Sequence, residues 1–521
     1  QMAAVHITLL LAFVCVLVFP AAAAPALLLP DVPLGAARAR HEEGARRGGA
    51  GGPAGGLGAA LRRAVDAAVP TLFSGGVVAH WAASEKWSDP EYLSAAFERK
   101  HIPVKVSATP TFTLFAGKGA ARQMKGGEER QHGYIWQDMD VAAMFDSAAP
   151  LASSGAATRP PPRYQYFTGE VPAAAADDVR LSDLAIDRIG HGSDAMSRGM
   201  LWMGSAGVTA QTHHDRSYNL FAQIVGRKAF YLLPPTQWKT LNMHPSYHGS
   251  RRQSQKKFSL RPASEEELSG AGHGRSVDER LGTNLECSLS SSEEDICQRS
   301  HTHSRDHPSN TSQQVGTGME IFLNPGDVLY IPPFWFHTVV SLSPMTVSYS
   351  VLSPSQEEFL FADALYAQVP FGALRDDPPR TLRIAVAAYI NRILRVMGED
   401  PAPFMSLLGT TRHGLVIGAA IKKERRKRKK KKKKNGSSPA EDRQLWCHSK
   451  SRLERMKIEK RLRPGLSKAV KNVTETFGTH FSQSRGARDI LLQDLFEELL
   501  VFASAQGGSV AEMIERCWMM G

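Results

Sequence analysis

Residues Gly207–Pro235 read GVTAQTHHDRSYNLFAQIVGRKAFYLLPP, and this stretch decides the fold. His213 and Asp215 stand two positions apart, and successive strand residues point to opposite faces. In extended chain their imidazole and carboxylate therefore share a face. A second histidine arriving from elsewhere would complete two His and one carboxylate, a set that suits non-haem Fe(II) and leaves coordination positions open. Downstream, Leu220–Val225 and Lys228–Leu233 are apolar runs separated by Gly226-Arg227, a pattern that predicts a β-hairpin.

Working outward, a second block of strands spans VLYIPPFWFHTVVSLSPMTVSYSVL after the turn residues Asn324–Asp327, with Met319–Leu323 ahead of it. Short strands in two blocks with helical patterns on either side predict a mainly β fold with flanking helices, an antiparallel barrel or jelly roll. His337 is the candidate second histidine. His214 is disfavoured because it faces away from His213, and His301, His303 and His307 because they lack a rigid scaffold. A lone strand histidine is more often a core residue than a ligand; two with an Asp, each in a strand-like setting, shift the reading to a metal.

Composition sets further bounds. At 521 residues the chain has room for one large domain with extensions, and 42% hydrophobic residues suffice for a core. Of the formal charge of +12, Lys422–Lys434 with twelve basic residues and one acid supplies +11. The body is near neutral, which excludes a uniformly basic nucleic-acid-binding domain. None of the five cysteines forms a CxxC pair, so neither a zinc ribbon nor a redox dithiol is expected.

Residues 1–26 read as a signal peptide rather than a membrane span, since the apolar run at 7–19 is too short to cross. A low-complexity linker is expected over 27–63, followed by the main domain over 64–375 with a disordered insert at 258–317. A helical extension (376–421), a polybasic linker (422–440) and a helical C-terminal region (441–521) complete the chain. Trp81, Trp87 and Tyr92 read as core. The leader points to the secretory pathway and the basic tract to the nucleus or a polyanion, two addresses in conflict.

The spacing of HHD, Asn219 and Lys228, followed by GDVLYIPPFWFH (Gly326–His337), resembles the JmjC/cupin-like Fe(II)- and 2-oxoglutarate-dependent oxygenases, in look the factor-inhibiting-HIF type branch. RQSQ (Arg252–Gln255) belongs to the same likeness. It implies a double-stranded β-helix core with α-helical N- and C-terminal extensions. It also implies His213, Asp215 and His337 as iron ligands, with Lys228 on the distal carboxylate of 2-oxoglutarate, Asn219 lining the same pocket and Tyr164 hydrogen-bonding the cosubstrate. Ala210 departs from the family's Ser or Thr, leaving Thr209 or Thr212 to substitute, and Ser348 stands where some relatives carry Asn.

The implied activity consumes O2 and 2-oxoglutarate, releases succinate, and hydroxylates a side chain of a protein substrate. The alternatives are lysine demethylation, a catalytically silent scaffold, or a cupin that binds a sugar or nucleotide without redox chemistry. The expected partners are a protein substrate, a second copy through the C-terminal helices, and a polyanion at Lys422–Lys434.

Overall fold

The quoted stretch forms three strands in the computed structural model, which describes residues 38–40, 54–113, 134–146, 163–184, 198–256, 318–366, 371, 374, 377–414, 452–481, 484–504 and 509–519. In chain order the strands are β1 (Arg38–Arg40), β2 (Thr71–Ser74), β3 (Ile102–Ser107), β4 (Thr111–Phe112), β5 (Ile135–Met139), β6 (Tyr164–Gly169) and β7 (Arg198–Ser205). They continue as β8 (Thr209–His214), β9 (Ser217–Val225), β10 (Lys228–Leu233), β11 (Met319–Leu323), β12 (Val328–Ile331), β13 (Phe336–Ser341) and β14 (Met345–Pro354).

Two sheets result. One has nine strands in the order β1-β2-β12-β9-β14-β7-β6-β3-β5, and the other five in the order β11-β10-β13-β8-β4. Phe221, Leu329 and Ile331 of the first meet Phe230, Leu232 and Leu323 of the second, with Trp335, in one buried cluster. This is the jelly-roll core expected from the sequence.

The Gly226-Arg227 turn is not a hairpin, contrary to the expectation. β9 pairs with β12 and β14, whereas β10 pairs with β11 and β13. The chain turns a corner from one sheet into the other. Gly226 has φ 70°, and a Cβ there would come 2.2 Å from the Met345 carbonyl oxygen. The glycine serves the tight corner, and both strands find partners that local sequence does not reveal.

Alternation explains the layers. Leu220, Ala222 and Ile224 of β9 face away from Phe221 and join Trp81, Trp87 and Leu93 beneath the N-terminal helices. Trp81 and Trp87 are core, as expected, yet each also gives its indole N–H to a carboxylate, Asp183 and Asp178 respectively. The helix Ala54–Ala67 begins inside the span expected to be linker (27–63).

On the other side, Leu233, Phe334 and Phe336 pack into a cluster with the C-terminal helices Pro379–Val396, Arg452–His480 and Arg485–Ser504. The Pro379–Val396 helix buries Leu382, Val386, Ile390 and Ile393, a stripe of helical period. Residues 36–521 form one compact unit that includes the C-terminal helices. No helix among the described residues is long and apolar enough to cross a membrane. The leader, the 258–317 insert with its histidines, and Lys422–Lys434 lie outside the described residues.

Candidate metal centre

His213 and His337 sit directly opposite each other on the antiparallel neighbours β8 and β13. Paired residues share a face, so the two imidazoles meet with ring centres 4.1 Å apart at 54°. Asp215 follows β8 and brings Oδ2 to 3.7 Å from His337 Nε2. One ligand atom from each of the three lies within 4.8 Å of the others, as the sequence spacing predicted for a shared face.

Hydrogen bonds fix both rings. His213 Nδ1 lies 2.7 Å from the Gln211 carbonyl and His337 Nδ1 3.0 Å from that of Trp335. A carbonyl can only accept, so Nδ1 carries the proton and a neutral ring keeps its lone pair on Nε2. Burial and the neighbouring His213 ring push His337 down to about 4, so it is neutral at ordinary pH. Burial works against ionisation of Asp215, but His213 and His337 beside it outweigh that and hold its carboxyl below the usual range. Two imidazoles and one carboxylate form a donor set that suits a divalent iron.

The strand alternates inward and outward through the site. His214 turns out, stacks on Phe334 with ring centres 5.8 Å apart, and meets Phe336 edge-on at 5.3 Å. Arg216 also turns out, and its Nη2 donates to Asp494 Oδ2 at 2.6 Å on the Arg485–Ser504 helix. Asp494 accepts from Arg412 Nη1 as well, and Arg412 and His413 share Glu497. The Asp215 carbonyl accepts from the backbone N–H of Phe334, which holds a left-handed φ of 66°. The RQSQ segment closes the edge of β8: Ser254 N–H donates to the Thr212 carbonyl and His214 N–H to that of Arg252.

Lys228 opens β10 and is 2% exposed, with Nζ 5.2 Å from the centre of the Phe221 ring. No carboxylate among the described residues pairs with it, and burial pushes it down to about 7. Asn219 is buried on the same face of β9 as Phe221, and its Oδ1 has no partner among the described residues. A cation and an amide oxygen left unpaired indoors are costly unless a ligand completes them. An extended dicarboxylate fits the cation.

The other sequence candidates are placed differently. Tyr164 lies on β6 with its ring against Gly207, at the approach to β8. Thr209 stands opposite Val340, one residue off the interior-facing Val339, which pairs with Ala210. Its hydroxyl donates to the Gly207 carbonyl, and that of Thr212 bonds Thr338. Ser348 is buried, but its hydroxyl donates to Gln223 Oε1 at 2.9 Å. Gln223, Arg216 and Phe334 were not singled out from the sequence; only the i, i+2 relation of Gln223 to Phe221 could have marked one of them.

The chain is 24% identical over 277 residues to the lysine-specific demethylase JMJ30 of Arabidopsis thaliana, covering 53% of this chain and 47% of that protein. It is 26% identical over 180 residues to lysine-specific demethylase JMJ32 of the same plant, covering 34% and 48%. A match to tRNA wybutosine-synthesizing protein 4 of Gibberella zeae is 28% identical over 177 residues, 34% of this chain and 12% of that protein. The chain thus spans less than half the length of each of these relatives. The family description of the cupin-like domain matches residues 58–351, which hold every strand from β2 to β13 and all three metal-ligand candidates, and the chain belongs to that family.

Proposed function

We propose that the protein is an Fe(II)- and 2-oxoglutarate-dependent oxygenase that hydroxylates a side chain of a protein substrate. The observation that carries the reading is the pairing of the His213–Asp215–His337 triad with Lys228, a buried lysine with no carboxylate among the described residues. A metal site alone would be satisfied by any cupin; the lysine adds a place for a dicarboxylate. When bound, iron and the 2-oxo acid supply oxidative decarboxylation to succinate and carbon dioxide, coupled to oxidation of a substrate C–H bond.

This chain's own residues bind and orient. His213 and His337 present Nε2, held by the carbonyls behind their rings. Asp215 supplies the negative charge. Lys228 takes the distal carboxylate in a charge-assisted contact, and Asn219 offers its free oxygen to a donor in the same cavity. Phe221, Phe230 and Trp335 exclude water from the floor.

The names of two relatives favour methyl-lysine demethylation as a second reading. It begins with the same C–H oxidation, after which the hydroxymethyl group leaves as formaldehyde. The test is succinate formation from 2-oxoglutarate with iron and ascorbate, for the natural chain and for His213→Ala, Asp215→Ala and Lys228→Met. Turnover no greater than in the triad variants would sink the oxygenase reading. Formaldehyde released from a methyl-lysine peptide would decide for the second.

A further inference from the structure

Lys228 is not the only buried lysine lacking a carboxylate. Lys105 lies mid-strand in β3, is 3% exposed, and burial pushes it down to about 8. Its Nζ sits 5.3 Å from the Trp136 ring centre and 5.2 Å from that of Tyr166, and the Thr168 hydroxyl is its hydrogen-bond partner at 3.2 Å. No carboxylate among the described residues pairs with it, and Asp138, next on the same face of β5, forms no ion pair with it. The other buried cations differ: Arg412 is held by Asp494 and Glu497, and Lys256 gives Nζ to the Thr240 carbonyl.

The register places Lys105 on the face of the nine-stranded sheet that also carries Asn219 and Phe221. Val104 and Val106 face the N-terminal helices, so Lys105 faces the other way. Trp136, Lys105, Tyr166, Gly204 and Thr346 stand opposite one another across β5, β3, β6, β7 and β14, forming one row on one face. The neighbouring row runs Thr168, Trp202, Ser348 and Gln223. Tyr166 stacks on Trp202 at 6.2 Å, and Trp202 packs against the cluster that includes Phe221 under Lys228. Aromatic surface therefore runs from the interior out to Trp136, which is 49% exposed at the sheet edge.

An ammonium so placed has lost its hydration and received one hydroxyl and two ring faces in return. Cation–π contacts recover only part of what removing a charge from water costs. One anion of single charge completes the balance; a phosphate dianion would call for a second cation.

We propose that Lys105 is a specificity-determining residue that receives a carboxylate of the substrate polypeptide, an Asp or Glu side chain entering past Trp136. This rests on the reading of the substrate as a protein. The charged contact selects an acidic residue at a fixed distance from the residue presented to the metal.

The test uses the full chain loaded with Co(II) and 2-oxoglutarate, immobilised and exposed to a randomised heptapeptide pool. Lys105→Met and Thr168→Val are run beside the natural chain, the latter sparing the charge and removing the hydroxyl that orients it. The natural chain is expected to enrich acidic residues at one position about tenfold or more over Lys105→Met, with Thr168→Val in between. A selected peptide should shift the 15N resonance of Lys105 Nζ, and its Glu→Gln version should not. Equal acidic enrichment on Lys105→Met, or an equal shift from the Gln peptide, would overturn the proposal. So would full reproduction of the shift by millimolar acetate, which marks a site for small anions. Co(II)-dependent 2-oxoglutarate binding, and its loss in Lys228→Met, is read separately, so failure of the oxygenase reading is distinguishable from failure of this one.

Discussion

Replacing Asp494 by Asn removes the anion that ties the segment after the candidate ligand Asp215 to the C-terminal helices. Arg216, the residue after Asp215, donates to Asp494 Oδ2 at 2.6 Å, and Arg412 donates to Oδ1. The side chains of Arg412 and Asp494 are 4% and 5% exposed, so water cannot substitute. Breaking a buried pair from one side costs about 3–5 kcal/mol. A second route gives a similar scale. Burial works against the charge of Asp494, but Arg412 and Arg216 hold its carboxyl at about 2 against an ordinary 3.8. That difference corresponds to roughly 2 kcal/mol of stability.

The sign follows from a depressed carboxyl. The contribution is present above the unfolded value near 4 and is lost as pH falls through about 2. Urea unfolding of Asp494→Asn should therefore show a loss of about 3 kcal/mol at pH 7 that narrows as the solution is acidified. Co(II) titration of the folded variant should show weakened metal binding, up to about tenfold, because Asp215 loses the anchor beside it. Replacing Arg216 and Asp494 together by Met and Leu should recover part of the stability, since Arg412 keeps Glu497 as its partner and no charge is left stranded. A loss below 1 kcal/mol at pH 7, with unchanged Co(II) affinity, would refute the coupling.

Other outcomes follow from the same structure. 2-Oxoglutarate binding should weaken about tenfold per pH unit above 7, because free Lys228 sits at about 7 and only its protonated form attracts the dicarboxylate; calorimetry between pH 6.5 and 9 reads this, and a flat profile would remove Lys228 from the contact. Gly226→Ala should cost at least ~2 kcal/mol by chemical denaturation, as its Cβ would collide with the Met345 carbonyl oxygen at the corner between sheets. Asp178→Asn should destabilise the N-terminal layer by about 2 kcal/mol, because Lys86, Trp87 and Tyr92 all donate to that carboxylate; an unchanged unfolding midpoint would contradict it.

What the sequence made legible was local or periodic. His213 and Asp215 share a face because strand period is two, and the strand block around His337 announced itself by β-branched and aromatic residues. The corner at Gly226-Arg227 was misread because turn chemistry is the same whether the strands pair with each other or part into different sheets. Arg216–Asp494 is a contact between distant segments, and an arginine after an aspartate carries no sign of a partner on a late helix. Thr209 and Thr212 were weighed as replacements for the hydroxyl missing at Ala210. A break in register between His337 and Val339 decides which β8 residues face inward, and no single-strand pattern shows it. Lys105 passed unnoticed between Val104 and Val106, where a lone polar residue in an alternating strand looks like a solvated one.

The interleaving of strands has a consequence for chain continuity. β9 lies between β12 and β14, and β10 between β11 and β13, so strands from before residue 257 are flanked by strands from after residue 317. Two metal-ligand candidates belong to the first segment and one to the second. A protease cut anywhere within 257–317 would leave two fragments laced together by seven backbone ladders, with the metal-ligand candidates divided between them. The nicked protein should migrate as one species until denatured, and the two fragments, expressed separately and mixed, should recover metal binding that neither has alone.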